Sequence, residues 1–391
     1  MDWQRHAEAL AATTVHPSSR WRGPLASTPR HLFVPRWWGR ARDSSDTWTL
    51  RDGPADTGAW LKSAYANTTL VTRVGTLHAD EATGRTAQGR PTSSSTLPGL
   101  VVTLYRHAML EERSRTLVVT GSGYGTALAC ARLGAAYVTS VDVEPYVVKA
   151  AGERLDAIGL HPTLAVCDIT GELPGEFDRI VSTVAVESVP TSWLRALRAG
   201  GRLVTTLAGT GLLITANKTD DGGAAGRVEW DRAAFMVTRH GTDYPPQREE
   251  LFGAIRDREG ETVSHSPYPV VDVRNAWELW STFTVHNPRV EHWYEEKEGR
   301  RTAWMAHPDG SWARATATGT EPAEVHQAGA QRLWDELDRI RHWWLADGYL
   351  NTYGANLTVT PHGVTTLSRG GWTASLGRPP RTPGHSLDNS P

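Results

Sequence analysis

The sequence predicts an α/β fold: a parallel sheet followed by a smaller, Trp-rich α+β unit. Three observations predict it. The apolar run Leu117-Val118-Val119 passes through Thr120 into Gly121-Ser122-Gly123-Tyr124-Gly125, and glycine lets backbone N–H groups in such a turn approach a ligand closely. Asp142 closes the next apolar run, at the spacing of roughly 20 residues from which a carboxylate accepts hydrogen bonds from both ribose hydroxyls. Between about Gly99 and Val237, strand-like and helix-like stretches alternate, the rhythm of a parallel sheet covered on both faces.

The elements follow in order. Gly99 to Leu110 has helical apolar spacing, Thr116 to Val119 reads as a strand, and Thr126 to Leu133 as the helix after the glycine turn. The unit then repeats, with a strand at Tyr137 to Val141 and a helix from Val147 to Ile158 that stops at Gly159. Strands follow at Leu164 to Val166 and Phe177 to Ser182, then a short helix at Ser192 to Leu197 and a strand at Arg202 to Thr206. Gly211 to Asn217 and Ala234 to Thr238 flank an Asp220-Asp221-Gly222-Gly223 turn and are expected to add a hairpin at the sheet edge. From about Gly241 the alternation stops. Trp277, Trp280, Trp293, Trp304 and Trp312 punctuate short strand-like pieces, and Leu333, Leu337, Ile340 and Trp344 form one apolar face of a helix ended by Asp347-Gly348. Leu357 to Thr360 and Val364 to Leu367 read as a hairpin. The resulting division is residues 1–240, 241–376 and a loose Pro-, Arg- and Ser-rich tail over 377–391.

Composition removes several function classes. Lys and Arg number 41 against 43 Asp and Glu, so there is no global positive field to attract a nucleic acid. No apolar run reaches membrane-spanning length, and Met1 to Leu10 lacks the basic start and apolar stretch of a signal peptide, which predicts a cytoplasmic protein with no membrane partner. The two cysteines, Cys130 and Cys167, fall in apolar segments and predict neither a disulfide framework nor a metal site. Seventeen Trp against five Phe is an unusual ratio, and some of these rings are expected to line a binding surface, although each one alone is as readily explained as core.

The candidate site residues fall into two groups. Thr120, Gly121, Ser122 and Gly123 form the cofactor turn, with Asp142 at the ribose position. Asp168 follows a third strand, where an Asp can accept from an adenine amino group, or simply cap a turn. The second group is Ser94-Ser95-Thr96, just before Leu97-Pro98 and a helix. On spacing alone these hydroxyls read as an N-cap cluster. Arg20, Arg22, Arg30, Arg36, Arg40 and Arg42, interleaved with Trp21, Trp37 and Trp38, read either as a grip for an acidic peptide or as a solvated face.

In several blocks the chain resembles the protein-L-isoaspartate O-methyltransferases. Thr28-Pro29-Arg30-His31-Leu32-Phe33-Val34-Pro35 is similar to that family's N-terminal signature, and Ser94 to Pro98 to its hydroxyl-bearing substrate loop. Thr120 to Tyr124 is similar to its cofactor turn, and Phe177 to Ile180, Thr183, Pro190, Trp193 and Gly200 to Val204 to its later blocks. The C-terminal features, namely Trp334, Trp343-Trp344, Gly348, Tyr353-Gly354 and Leu357 to Gly363, resemble the long methyltransferases associated with ATP-grasp peptide maturases, the graspetide systems. The resemblance implies a class I, Rossmann-like fold that uses S-adenosyl-L-methionine to methylate a carboxylate. Thr96 would take the place of the family's substrate-contacting Ser, with Ser94 and Ser95 donating beside it.

In the maturase-associated group the implied substrate is a ribosomal precursor peptide or its cyclised product, with an ATP-grasp ligase as a further partner. Methylation of an Asp side chain there leads to an aspartimide. Two alternatives stand beside this reading: a repair enzyme for isoaspartyl proteins, and a non-catalytic peptide-binding relative. Chain length beyond the catalytic core is expected to speak against repair. Leu117 and Val119 keep the third open, because they stand where the family's cofactor turn opens with an acidic residue and a first glycine.

Overall fold

The computed structural model describes residues 2–41, 46–241 and 244–377. Among these residues the strands form three sheets. The largest has ten strands, of which five run parallel in the spatial order Thr163–Val166, Val138–Asp142, Thr116–Val119, Phe177–Val186 and Leu197–Leu207. Chain order reverses between the third and the fourth, and at such a reversal a crevice opens beyond the carboxyl ends of the strands. Alternate residues divide between two cores. Val118, Val181 and Val204 pack with the helices Pro98–His107 and Tyr124–Leu133, whereas Leu117, Ile180 and Leu203 pack on the opposite side with Trp193. Burial on both faces is what makes these strands read as continuous apolar runs.

The expected strands and helices of this sheet are present with small shifts at their ends, and the antiparallel edge differs more. The hairpin arms are Leu212–Lys218 and Ala224–Arg232, so the second arm lies about ten residues earlier than the expected Ala234 to Thr238. The turn is fixed by Asp221, whose carboxylate accepts from the Gly223 N–H at 3.0 Å and so favours the nearer arm. Residues 234–238 instead cross over the crevice, joined to the sheet by one parallel bridge between Ala185 and Val237.

The expected boundary at residue 241 also needs correction. Asn356–Val359 pairs with Ala224–Arg232, and Thr365–Arg369 and Trp372–Leu376 continue outward from it. The C-terminal strands therefore belong to the large sheet. Leu357, Leu367 and Leu376 share its core with Trp193. Between the two contributions lies a five-stranded antiparallel sheet, Thr262–Ser266, Ala323–Ala328, Trp312–Thr318, Arg300–Ala306 and Glu291–Lys297. Helices Trp277–His286 and Leu333–Asp347 complete it. Of the tail expected over 377–391, only Gly377 lies within the described residues.

The tryptophans are mostly structural. Trp280, Trp304, Trp312 and Trp334 are buried, while Trp230 is 63% exposed and stacks on Tyr353. The basic and aromatic stretch near the N-terminus likewise builds a core: Trp21, Trp37 and Trp38 are buried. Arg36 donates to the carbonyls of Asp80 and Ala82 and pairs with Asp52. Arg36 is thereby engaged within the fold, Arg20 and Arg40 remain exposed, and Arg42 lies outside the described residues. No helix among the described residues is long and apolar enough to cross a membrane.

Candidate functional site

A cavity of about 220 Å³ occupies the crevice. One wall is the exit of the parallel strands, with Val119, Gly121 and Asp142; the other is the hydroxyl-rich segment containing Ser94 and Thr96; and residues 234–239 close it from above. The glycine turn is held from below by a hydroxyl knot, in which Ser140 Oγ lies 2.8 Å from both Thr120 Oγ1 and Thr126 Oγ1. Thr120 is therefore turned inward. Gly121 and Gly123 have φ of +48° and +88°, the left-handed region that glycine occupies without strain. A Cβ at Gly123 would also meet Ala151 Cβ at 3.0 Å and the Phe33 ring at 3.2 Å. Ser122 is buried and, with Thr120, lines a smaller cavity of about 30 Å³ behind the turn.

Asp142 ends the strand Val138–Asp142 and lines the cavity. Its two oxygens accept from the N–H groups of Gly121 and Glu144, each at 3.1 Å, which leaves a lone pair on each for a ligand. Burial pushes its carboxyl up to about 6, against the pull of those two N–H groups. Asp168 is placed differently. One oxygen accepts from the N–H and hydroxyl of Thr170, at 2.8 and 2.7 Å, and the other lies 2.6 Å from His240 Nδ1. Burial acts to raise this carboxyl, but the bonds from Thr170 and His240 outweigh it and hold it below the usual carboxylate range. The cavity is lined by its neighbours Cys167 and Ile169 and not by Asp168 itself. Cys167 lines the cavity and packs against the sheet core.

The hydroxyl segment is not a helix cap. Helix Pro98–His107 begins after Leu97 with no side-chain cap of its own, and the orphan N–H groups of Leu97 and Gly99 are taken by Thr69 Oγ1 and Asn67 Oδ1, at 3.3 and 2.8 Å. Ser94 and Thr96 are thereby released and line the cavity. No described residue hydrogen-bonds to their hydroxyls. Ser95 points the other way, with its buried Oγ unpartnered beside the smaller cavity. A Cβ on Gly121 would stand 3.4 Å from the Ser94 carbonyl oxygen, so the cofactor turn and the hydroxyl loop face each other at close range.

What holds the loop is Arg30, whose role the sequence did not show. Its fully buried guanidinium donates to five carbonyls: Ala64, Ala66 and Thr68 at 2.9 Å, and Ser95 and Thr96 at 3.2 Å. Desolvation lowers its pKa to about 10. A charge inside an otherwise apolar block, between Pro29 and Phe33, was the available signal. At the mouth of the cavity Arg73 and Arg239 both reach Glu144, and this cluster too was not anticipated.

The adenosine half of S-adenosylmethionine fits this cradle on the strength of Asp142 and the two left-handed glycines. The methionine half meets a different environment. Leu117 is fully buried in the sheet core and Val119 lines the cavity, so no carboxylate stands at either position.

Residues 79–235 match the family model described as protein-L-isoaspartate(D-aspartate) O-methyltransferase (PCMT). The fold is that of the class I S-adenosylmethionine-dependent methyltransferases. A solved protein-L-isoaspartate O-methyltransferase superposes with a TM-score of 0.51 at 16% identity, covering 94% of this chain and 99% of that one. A Plasmodium falciparum protein of the same description, solved with S-adenosyl-L-homocysteine, gives a TM-score of 0.42 at 13% identity over 61% of this chain and 99% of that one. No curated protein matches the sequence. Because the first of these alignments spans nearly the whole chain, length does not separate a repair enzyme from a peptide-modifying one, contrary to the expectation above.

Proposed function

We propose that this chain is an S-adenosylmethionine-dependent carboxyl O-methyltransferase whose acceptor is an Asp side chain in a ribosomally made, modified peptide. The observation that carries the reading is the apposition of the free Ser94 and Thr96 hydroxyls with the Gly121 turn across the cavity lined by Asp142. When bound, the cofactor supplies an electrophilic methyl group. The substrate carboxylate is already a nucleophile at neutral pH, so the protein has to orient it and exclude water. Thr96 and Ser94 donate to one carboxylate oxygen without protonating the other, and Arg30 fixes the backbone that presents them. Asp142 holds the ribose end. Residues 234–239 shield the reacting centre from solvent.

The ester so formed activates its own loss. A neighbouring backbone amide nitrogen of the peptide attacks the ester carbonyl, the departing methoxide leaves as methanol with the proton lost from that nitrogen, and an aspartimide ring remains, favoured by the high effective concentration of an intramolecular nucleophile. An ATP-grasp ligase that cyclises the peptide beforehand is the partner this reading calls for. Incubation of purified protein and S-adenosylmethionine with the peptide, before and after cyclisation, tests it by mass: a gain of one methyl followed by loss of methanol supports it. Equal methylation of simple isoaspartyl peptides supports repair instead, the second reading, which is favoured by the chain-long superposition on a protein-L-isoaspartate O-methyltransferase. The non-catalytic alternative rests on Leu117 and Val119 and requires that S-adenosylhomocysteine fail to bind at millimolar concentration.

A further inference from the structure

Among the described residues, two guanidiniums meet one carboxylate on the cavity lining, those of Arg73, Arg239 and Glu144. Arg73 Nη1 donates to Glu144 Oε2, and Arg239 Nη2 approaches the same oxygen at 3.5 Å. Tyr244 lies against both cations, its ring centroid 5.1 Å from Arg73 and 4.6 Å from Arg239. Arg239 spends Nη1 on the Gly241 carbonyl at 2.9 Å, but the Nε of Arg73 is buried with no partner. A buried, unpartnered donor on a cavity wall calls for an acceptor.

Among the described residues the surrounding charges do not supply one. Arg154 and Asp80 pair with each other. Asp142 is turned to the backbone of Gly121 and Glu144. His78 lies against Asp80. The position of Arg73 indicates what the acceptor belongs to. It sits opposite Ser93 in the antiparallel pair of strands Leu70–Val74 and Pro91–Ser95, next to Thr72, whose hydroxyl bonds Ser93 Oγ at 3.1 Å. Arg73 is therefore on the substrate wall, one residue from Ser94 in the register. The glycine turn, where the methionine end of the cofactor would lie, is on the opposite wall.

We infer that Arg73 and Arg239 read a second carboxylate of the substrate, so that the preferred acceptor is a peptide with an acidic residue beside the methylated Asp. This deepens the carboxyl-methyltransferase reading and rests on it for the identity of the acceptor. Arg pairs with carboxylates through its planar fork of donors, and the buried Nε of Arg73 leaves part of that fork unused. Glu144 holds the pair in place in the free enzyme. A substrate carboxylate would dock on the outer faces of the same cations.

Anisotropy of a fluorescein-labelled peptide carrying adjacent Asp and Glu, against its Asp-Gln counterpart, tests this with protein loaded with S-adenosylhomocysteine. The wild type should bind the acidic peptide about tenfold more tightly, the value of one charge-assisted hydrogen bond. Arg73→Gln and Arg239→Gln should each erase most of that ratio while the calorimetric affinity for S-adenosylhomocysteine stays within about twofold. Arg73→Lys should restore only part of it, because charge without the fork is a weaker reader. Equal binding of the two peptides by the wild type, or an undiminished ratio in both Gln variants, would overturn the inference. So would a parallel fall in cofactor affinity, since the cluster would then be a latch for the cofactor strand. If the peptides are discriminated but never methylated, the selectivity stands and the catalytic reading falls.

Discussion

Removal of the Thr96 hydroxyl is the sharpest perturbation of the proposed acceptor site. Thr96→Val keeps the branched shape and leaves the carbonyl that Arg30 holds at 3.2 Å. Because the Thr96 hydroxyl bonds to no described residue and the side chain is only half-buried, folding should change by no more than about 0.5 kcal/mol. A hydrogen bond to a charged acceptor is worth about 1.5–3 kcal/mol. If that bond is stronger in the transition state than in the bound substrate, kcat should fall by about 10- to 100-fold. Thr96→Ser should recover most of it. Ser94→Ala should give a smaller loss, and the double variant should fall short of the product of the two, because both hydroxyls serve one carboxylate. The assay is radiolabelled methyl transfer to peptide, alongside thermal denaturation and calorimetric titration with S-adenosylhomocysteine. Unchanged turnover in Thr96→Val, or turnover and cofactor affinity lost together, would refute the assignment.

Other outcomes follow from the same geometry. In the absence of ligand, the raised carboxyl of Asp142 means that the folded protein binds a proton more tightly than the unfolded chain, so stability should decline as pH rises from about 4 to about 6. Asp142→Asn should remove that contribution of about 2–3 kcal/mol to urea melts recorded across the interval, while weakening S-adenosylhomocysteine binding at pH 7.5. Arg30→Met strips five carbonyls of their donor and should cost about 3–5 kcal/mol in denaturant titrations, at roughly 1–3 kcal/mol for each buried acceptor left unsatisfied. Asp168→Ala should weaken S-adenosylhomocysteine about tenfold if its carboxylate serves adenine, and His240→Ala should tighten it; calorimetry of the two variants that moves neither affinity would leave Asp168 with only its local turn.

The sheet that forms the cradle was legible because its strands are apolar on both faces and are punctuated by glycines whose left-handed φ leaves little choice of residue. Asp142 could be placed from spacing alone. Arg30 and Arg73 could not, since their partners are backbone carbonyls or a carboxylate 34 to 71 residues away in sequence, and nothing local marks such contacts. The hydroxyls of Ser94 and Thr96 pointed by local pattern to a cap; the actual cap comes from Thr69 and Asn67, on another loop. Alternation also misled at the hairpin, where two apolar stretches compete for one arm and the tight turn at Asp221 decides. The return of residues 356–376 to the first sheet is a long-range pairing that no periodicity reveals, because an edge strand has the same alternation whichever sheet it joins.

That return makes the Trp-rich unit an insertion, with both of its ends rooted in the methyltransferase. A polypeptide cut after residue 240 would not be the enzyme minus an accessory: it would leave Ala224–Arg232 as a bare rim, its backbone donors and acceptors open to any passing strand. The two halves are thus obliged to fold as one, and a graft that exchanged the insertion for another, joined at the same two roots, would keep the sheet closed.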